Sequence, residues 1–453
     1  MAVKLPSVSQ LVALLLSGAA YAGLAYATPR AQFGQLVALF GVALAAYAWL
    51  LRTDLPLRWG LGAALAFRLL WLPALPALSD DRFRFRWDGL LVAQGVNPYQ
   101  FRPDELIADG ARRALPDAAR RAAALPRLQA LYRVLNSPHY YSVYPPLCQF
   151  IFGGAARLFP DSPAGFAVVL RLAVLLAEGG TAWLLLALLP ALGAPPARAL
   201  RYLLHPLVIV ELTGNLHLEG LMLFFMLLAL ALLIRRRRAA SALALALGVA
   251  TKLLPLLALP LLVRRLGGRR FLAYAGLTAG AAAALFAPFV SAELLSHFGR
   301  SLNLYFRSFE FNASFYYLLR PVGFWLTTYN KIAVIGPGLA LLAGGFALGL
   351  AGWERRPRLA SLPSSLLLLL TAYYLLATTV HPWYLTPLIG LSALSPFRFP
   401  LVWGGLVVLS YAAYRTSAYT ENLGLVALEY ALTLAMLGSE VAAARKPTGI
   451  PQH

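Results

Sequence analysis

Along the chain, apolar runs alternate with short polar segments rich in arginine, and most of the runs have the roughly 17 to 25 residues that carry a helix across a bilayer. Fourteen runs can be marked, at residues 8–27, 32–51, 58–78, 144–160, 165–189, 198–214, 217–234, 240–263, 270–290, 331–352, 360–379, 382–395, 399–416 and 421–443. The pattern predicts an all-α, polytopic integral membrane protein, a single transmembrane domain over residues 1–453 with about 12–14 transmembrane helices. The first run follows Lys4 and ends in "AYA", a faint signal-peptidase pattern. It is long for a signal-peptide core and the rest of the chain is equally hydrophobic, so it reads as the first spanning helix.

Short basic loops orient the spans. "RTDLPLR" (52–58), "RRRR" (235–238), "RRLGGRR" (264–270), "WERRPR" (353–358) and "ARK" (444–446) belong on the cytoplasmic side. Two long polar segments, 79–143 and 291–330, then fall on the opposite side. Within them "DELIADGARRAL", "PDAARRAAALPRLQALYRVL" and "LLSHFGRSLNLYFRSFEFNASFYYLL" carry apolar, aromatic and basic residues at helical spacing, which predicts short interfacial helices.

Counting crossings exposes two conflicts. One hydrophobic segment lies between "RRRR" and "RRLGGRR", yet both ends belong to the cytoplasm. A break at "TKLLP" resolves it, with Lys252 at the apex. Between residues 143 and 198, either 144–160 dips without crossing or "ALRYLLHP" begins outside. A broken helix survives at membrane depth only where it lines a cavity or is buried in protein. The break at Lys252 therefore predicts a cavity. "TGNLHLEG" (213–220), "TTVHPWYLTP" (378–387) and "SDDRFRFRWDG" (79–89) are polar interruptions on the same outer side, and together they predict one site.

Composition agrees with lipid as the solvent: 60% of residues are hydrophobic and 13% charged. The net charge of +21 is spread as arginines between apolar runs rather than gathered in one solvated domain, which argues for topology signals and headgroup or phosphate contacts and against nucleic acid. A single cysteine, Cys148, excludes an intramolecular disulfide framework and a cysteine-rich zinc site. The chain has no P-loop and no dinucleotide fingerprint, and it lacks a soluble domain large enough for a nucleotide sugar. Group transfer on the outer face would need an activated donor that resides in the membrane.

Ionisable side chains at membrane depth are costly and so are candidates for function. Asp80 and Asp81 follow a spanning helix on the outside, with Asp88 further along; a carboxylate there can take a proton from an attacking sugar hydroxyl. The same residues also fit a solvated helix end flanked by arginine counter-charges. Lys252 at the break suits a phosphate and the charge of a departing one, with snorkelling as the plainer role. Of Arg82, Arg84 and Arg86, one is expected at a phosphate and the others at headgroups or the aspartates. His205, Asn215, His217, Glu219 and His381 are polar residues near helix ends, with Asn215, His217 and Glu219 the densest group. Carboxylates leave room for a divalent ion such as Mg or Mn, although no ligand spacing demands one.

Taken in order, "SDDRFRFRWDGLLVAQGVNPYQFRPDE", "NSPHYYSVYPPLCQFIF", "LHPLVIVELTGNLHLEGLML", "ATKLLPLLALP" and "HPWYLTPLIGL" resemble the successive motifs of GT-C fold, polyprenyl-phosphate-dependent glycosyltransferases. The resemblance covers roughly residues 58–395 and is nearest to the bacterial mannosyltransferase-like branch, more distantly to the first mannosyltransferase of GPI-anchor assembly. It implies a polyprenyl-phosphate sugar donor, such as polyprenyl-phosphate mannose, a lipid or glycan acceptor, and an inner (plasma) membrane setting with the active site extracytoplasmic. It also implies a catalytic base in the acidic motif, here Asp80 or Asp81, an adjacent pair where some relatives have a spaced D-x-D. Lys252 matches a position facing the donor phosphate, and the "GN" ending at Asn215 a position lining the cavity. Arg82, Arg86, Asp88, Tyr144, His217, Glu219, His381 and Tyr384 complete the candidate substrate-binding set.

The expected reaction is an inverting glycosyl transfer. Its rival is a transporter or flippase of lipid-linked sugars, which would spread polar residues toward both faces and show repeat symmetry. A polymerase or ligase with a lipid-pyrophosphate donor would need more external basic contacts. Sugar, acceptor and linkage depend on pocket shape, which the sequence does not give.

Overall fold

The computed structural model describes residues 5–416 and 418–445, and within them prolines and short breaks decide where the apolar runs stop being helix. Lys4 and Lys446, used above as charge signals, lie outside the described residues. Among the described residues seven helices are each long and apolar enough to cross a membrane: Val8–Tyr26, Phe33–Arg52, Pro163–Ala191, Gly268–Phe289, Ile332–Trp353, Leu359–Leu376 and Leu423–Ala443. Pro206–Gly214 and Glu219–Ile234, bent by 112° at their junction, make an eighth if taken as one span. The structure is helical throughout, with one isolated bridge, Phe311 to Thr379, among the described residues.

The polytopic all-α architecture is thus as the pattern predicts, but the twelve to fourteen expected crossings are not that many long helices. The run 58–78 is helical only over Leu57–Leu70, because Pro73 biases the residue before it away from helix and Pro76 repeats the effect. The run 144–160 yields Pro146–Leu158, about 20 Å at 1.5 Å per residue against a hydrocarbon core of about 30 Å. It is too short for a straight crossing by itself, which fits the dipping alternative for the conflict between residues 143 and 198. The runs 382–395 and 399–416 hold eight-residue helices, Thr386–Ala393 and Phe399–Leu406.

Both long polar segments carry the expected short helices, Asp81–Ala93 and Ala118–Tyr132 in the first, Leu294–Arg307 and Phe315–Thr327 in the second. Asp81–Ala93 packs on Pro146–Leu158 through two glycines. A Cβ on Gly89 would sit 2.5 Å from the Phe152 carbonyl oxygen, and one on Gly153 would sit 2.4 Å from Val92. Neither position tolerates a side chain without separating the pair.

The break expected at "TKLLP" is present. Arg238–Thr251 ends at Lys252, whose backbone is extended (φ −158°, ψ 143°), and the chain resumes as a short 3-10 turn and the helix Leu259–Leu266. The second break falls in "TGNLHLEG", where a wide π turn over Ile209–Gly214 gives way to Leu216 at φ 66°. At the opposite end, Arg264 donates to the Gly352 and Glu354 carbonyls and Arg265 pairs with Glu354 at 2.7 Å. Two loops that the charge pattern put on one side therefore touch.

Arg171 holds the second break in shape. It is fully buried on Pro163–Ala191 and donates to the carbonyls of Thr213 (2.7 Å), Leu72 (2.7 Å) and Gly214 (3.2 Å). No carboxylate pairs with it among the described residues. Its three acceptors belong to the two strips of irregular backbone that lead into Asp80 and into Glu219. Arg171→Met should leave all three carbonyls unsatisfied, at about 1–3 kcal/mol for each buried group, partly offset by relief of the buried charge. A drop of several degrees in the unfolding temperature of the detergent-solubilised protein is expected; an unchanged melting curve would show that the carbonyls find other donors.

Candidate active site

The broken helices and the helix ends beside them enclose a cavity of about 640 Å³. Its charged lining residues, among those described, are Arg30, Asp80, Asp81, Glu219 and Lys252. Of the predicted site residues, Asp80, Asp81, Tyr144, His217, Glu219, Lys252, His381 and Tyr384 line it.

Asp80 precedes the first turn of Asp81–Ala93, but its side chain does not cap that helix. It instead accepts a hydrogen bond from Arg30 Nη2 at 2.8 Å, and the Arg30 guanidinium lies 4.5 Å from the centroid of the Tyr414 ring. Asp81 is the first residue of the helix, its own N–H donating to Ser79 Oγ at 3.2 Å. It belongs to the first long polar segment, outside the spanning helices. Burial first, and then the nearby Glu219 carboxylate, push its carboxyl up to about 6, against the opposing pull of the Tyr144 hydroxyl and Lys252.

Across the cavity Lys252 pairs with Glu219 and lies 4.2 Å from the centroid of the Tyr384 ring. The lysine side chain is 37% exposed while Glu219 is only 5% exposed, so the cation faces the cavity and the carboxylate stands behind it. Two ion pairs and one further carboxylate, Asp81, thus share the space. Trp383 is sandwiched between two imidazoles, His217 at 3.7 Å between ring centroids and His381 at 4.4 Å, with interplanar angles of 11° and 5°.

Four residues of the predicted substrate-binding set do not line the cavity. Asp88 is buried against Arg84 (2.9 Å), Gln149 (3.0 Å) and Ser142, and so latches the first external helix to the segment before Pro146–Leu158. Arg86 donates to the Pro160 carbonyl at 2.8 Å, and Arg82 rests on the Phe83 ring. Asn215 lies on the far side of the left-handed turn at Leu216, accepting from Leu78 N–H at 3.3 Å and donating to Glu211 at 3.1 Å. It ties the chain two residues before Asp80 to the second break, a positioning contact. His205 accepts from Leu207 N–H at the start of Pro206–Val208 and is likewise away from the cavity.

Sequence reasoning missed Arg30, Tyr305, Tyr373, Trp383 and Tyr414. Arg30 carried a usable signal, being a lone arginine in a short connection on the side where the other short loops hold none. The tyrosines carried none, since aromatic residues are frequent throughout. Among the described residues no group of three or more His, Cys, Asp or Glu side chains is arranged to hold a metal ion, and Asp80 is engaged by Arg30.

Residues 9–267, more than half of the chain, match the family model described as alpha-(1->6)-mannopyranosyltransferase, N-terminal domain. No curated protein matches the chain.

Proposed function

The chain belongs to the alpha-(1->6)-mannopyranosyltransferase family, a branch of membrane glycosyltransferases, and from that premise we propose that its cavity moves a mannosyl group from a polyprenyl-phosphate donor to a lipid or glycan acceptor. The transfer takes place on the extracytoplasmic face of a bacterial-type inner membrane. The observation that carries this reading is a cavity at helix breaks in a membrane protein, holding two cations, Arg30 and Lys252, together with the carboxylate of Asp81. Cations answer a lipid phosphate, and the carboxylate answers a hydroxyl.

Asp81 is the general base. Asp80 is already held by Arg30 at 2.8 Å, whereas Asp81 is poised between protonation states near neutral pH, where a base is most effective. It takes the proton of the acceptor hydroxyl as that oxygen bonds to the anomeric carbon. The bond from the anomeric carbon to phosphate oxygen breaks on the opposite side, and the lipid phosphate departs with the electron pair. One displacement inverts the anomeric centre, so an α-linked product requires a β-linked donor. Lys252 stabilises the departing phosphate, Arg30 assists at the mouth, and confinement of both substrates supplies orientation.

The test uses the purified chain in sealed vesicles with radiolabelled polyprenyl-phosphate mannose or GDP-mannose. Transfer from the lipid donor alone, and only to acceptor on the extracytoplasmic side, supports the reading. Transfer from the nucleotide sugar, or acceptor use only from the cytoplasmic side, overturns it. A base must be ionised, so kcat/KM should rise with pH, reach half its plateau near the Asp81 value of about 6, and fall away below it. A profile flat across that region removes Asp81 from the role.

A further inference from the structure

The first long polar segment, 79–143, holds ten arginines against seven carboxylates. The charge rule that orients the spans puts basic residues on the other side of the bilayer, so an excess here calls for a local reason. Two of these arginines reach out of the segment to one short turn. Arg86 donates to the Pro160 carbonyl at 2.8 Å, and Arg127 forks onto the Asp161 carboxylate at 2.5 and 2.8 Å.

That turn lies at headgroup depth. It leads directly into Pro163–Ala191, whose 29 residues make a rod of about 43 Å at 1.5 Å per residue, matching the roughly 40–45 Å of a bilayer with its polar layers. The ends of such a helix sit among phosphates, and so do the guanidiniums fastened beside its start.

Charge is out of balance at this spot. Asp161 acts on Arg86 as well as pairing with Arg127, and Arg157, exposed in the last turn of Pro146–Leu158, forms no ion pair among the described residues. Three guanidiniums are thus set against one carboxylate, which is itself 70% exposed. Beside them the side chains of Leu158 and Phe159 are 67% and 42% exposed. A soluble acidic glycan would answer the charges and leave this apolar pair in water, which is unfavourable. A lipid phosphate with its acyl chains answers both.

We propose that Arg86, Arg127 and Arg157, together with Leu158 and Phe159, seat one anionic phospholipid of the leaflet at the cavity mouth, its phosphate among the guanidiniums and its chains over the apolar pair. Asp161 is a built-in competitor for the same cations. It holds them in place when no lipid is bound and yields them when one arrives. The inference stands apart from the proposed transfer, since it needs neither a particular sugar nor a particular base.

The experiment titrates the full chain in neutral detergent with phosphatidylglycerol or with phosphatidylcholine of the same chains, and counts bound lipids by native mass spectrometry. Wild type should hold one phosphatidylglycerol at a concentration about tenfold below that needed for phosphatidylcholine, and inorganic phosphate in molar excess should leave it bound. Arg127→Gln and Arg157→Gln should each weaken it about fivefold, the worth of one basic side chain near an anionic surface. Asp161→Asn should instead tighten it by a similar factor. The opposite signs are decisive, because Arg127→Gln and Asp161→Asn break the same ion pair and would act alike if the cluster were merely structural. Arg157→Gln, which breaks no ion pair, guards against mistaking lost folding for lost binding. Equal binding of the two lipids, displacement by phosphate, or a shared direction for Arg127→Gln and Asp161→Asn overturns the proposal.

Discussion

Asp81→Asn is expected to lower kcat about 10²–10⁴-fold, the usual worth of a positioned general base, without lowering the unfolding temperature. The two halves of this expectation share one cause. Burial and the Glu219 charge push the Asp81 carboxyl up to about 6, so above that pH the folded protein carries a charge that its surroundings destabilise relative to water. The linkage sign follows: the stability that this group contributes is present below its ordinary value near 3.8 and is lost as pH rises through about 6. A neutral amide of the same shape removes that cost at neutral pH, and a dead yet equally or more stable enzyme results. Asp80→Asn should cost far less, about tenfold, because it breaks the 2.8 Å pair but keeps the guanidinium, whereas Arg30→Gln should cost more, since it also removes a cation that assists at the phosphate. Transfer rates and melting curves for the three variants check this. If Asp80→Asn is the inactive one and Asp81→Asn is not, the two carboxylates exchange roles.

Lys252→Met should lower transfer about 10²–10³-fold, as loss of a charged donor aimed at a leaving group does, and should also destabilise the protein. Removing the ammonium strands Glu219, only 5% exposed, and breaking a buried pair from one side costs several kcal/mol; the partial exposure of the lysine reduces this to about 2 kcal/mol. The double variant Lys252→Met with Glu219→Gln separates the effects, because it removes the stranded charge along with its partner. Its melting temperature should recover while transfer stays low. Recovery of transfer in the double variant would mean that Lys252 serves only to neutralise Glu219, with the phosphate role passing to Arg30.

Much of this site was legible from residue types and their depth. A lysine inside an apolar run whose two ends both belong to the same side must mark a break, and Lys252 does. The motifs placed the chain in a mannosyltransferase-like branch, as the family match bears out, and membership in a transferase family leaves the transporter reading without support. What failed was the step from nearby in sequence to facing the cavity. Asp81, Arg84, Phe85 and Asp88 share one face of a helix, but Ser142 and Gln149 close over its far end and remove Asp88 from the cavity. Arg82 and Arg86 lie one turn apart on a different face, and Arg86 reaches Pro160. Asn215 and His217 flank a left-handed Leu216 and converge on the same Glu211 carboxylate, yet only His217 also reaches the cavity wall. Span length was misjudged for a similar reason: hydropathy does not register that Pro73 and Pro76 end a helix within an apolar run.

Among the described residues all five charged side chains on the cavity wall come from residues up to 252, whereas the wall contributed by residues beyond 252 is aromatic, aliphatic and hydroxylic, with His381 as its one imidazole. The charged groups are thus encoded in one stretch of the polypeptide, and most of the tyrosines on the wall in another. Exchanging the C-terminal stretch between homologous enzymes would then alter which sugar or acceptor is taken up while the proton and phosphate chemistry carries on unaltered. New substrate ranges could arise by drift in that stretch alone, without passing through an inactive ancestor.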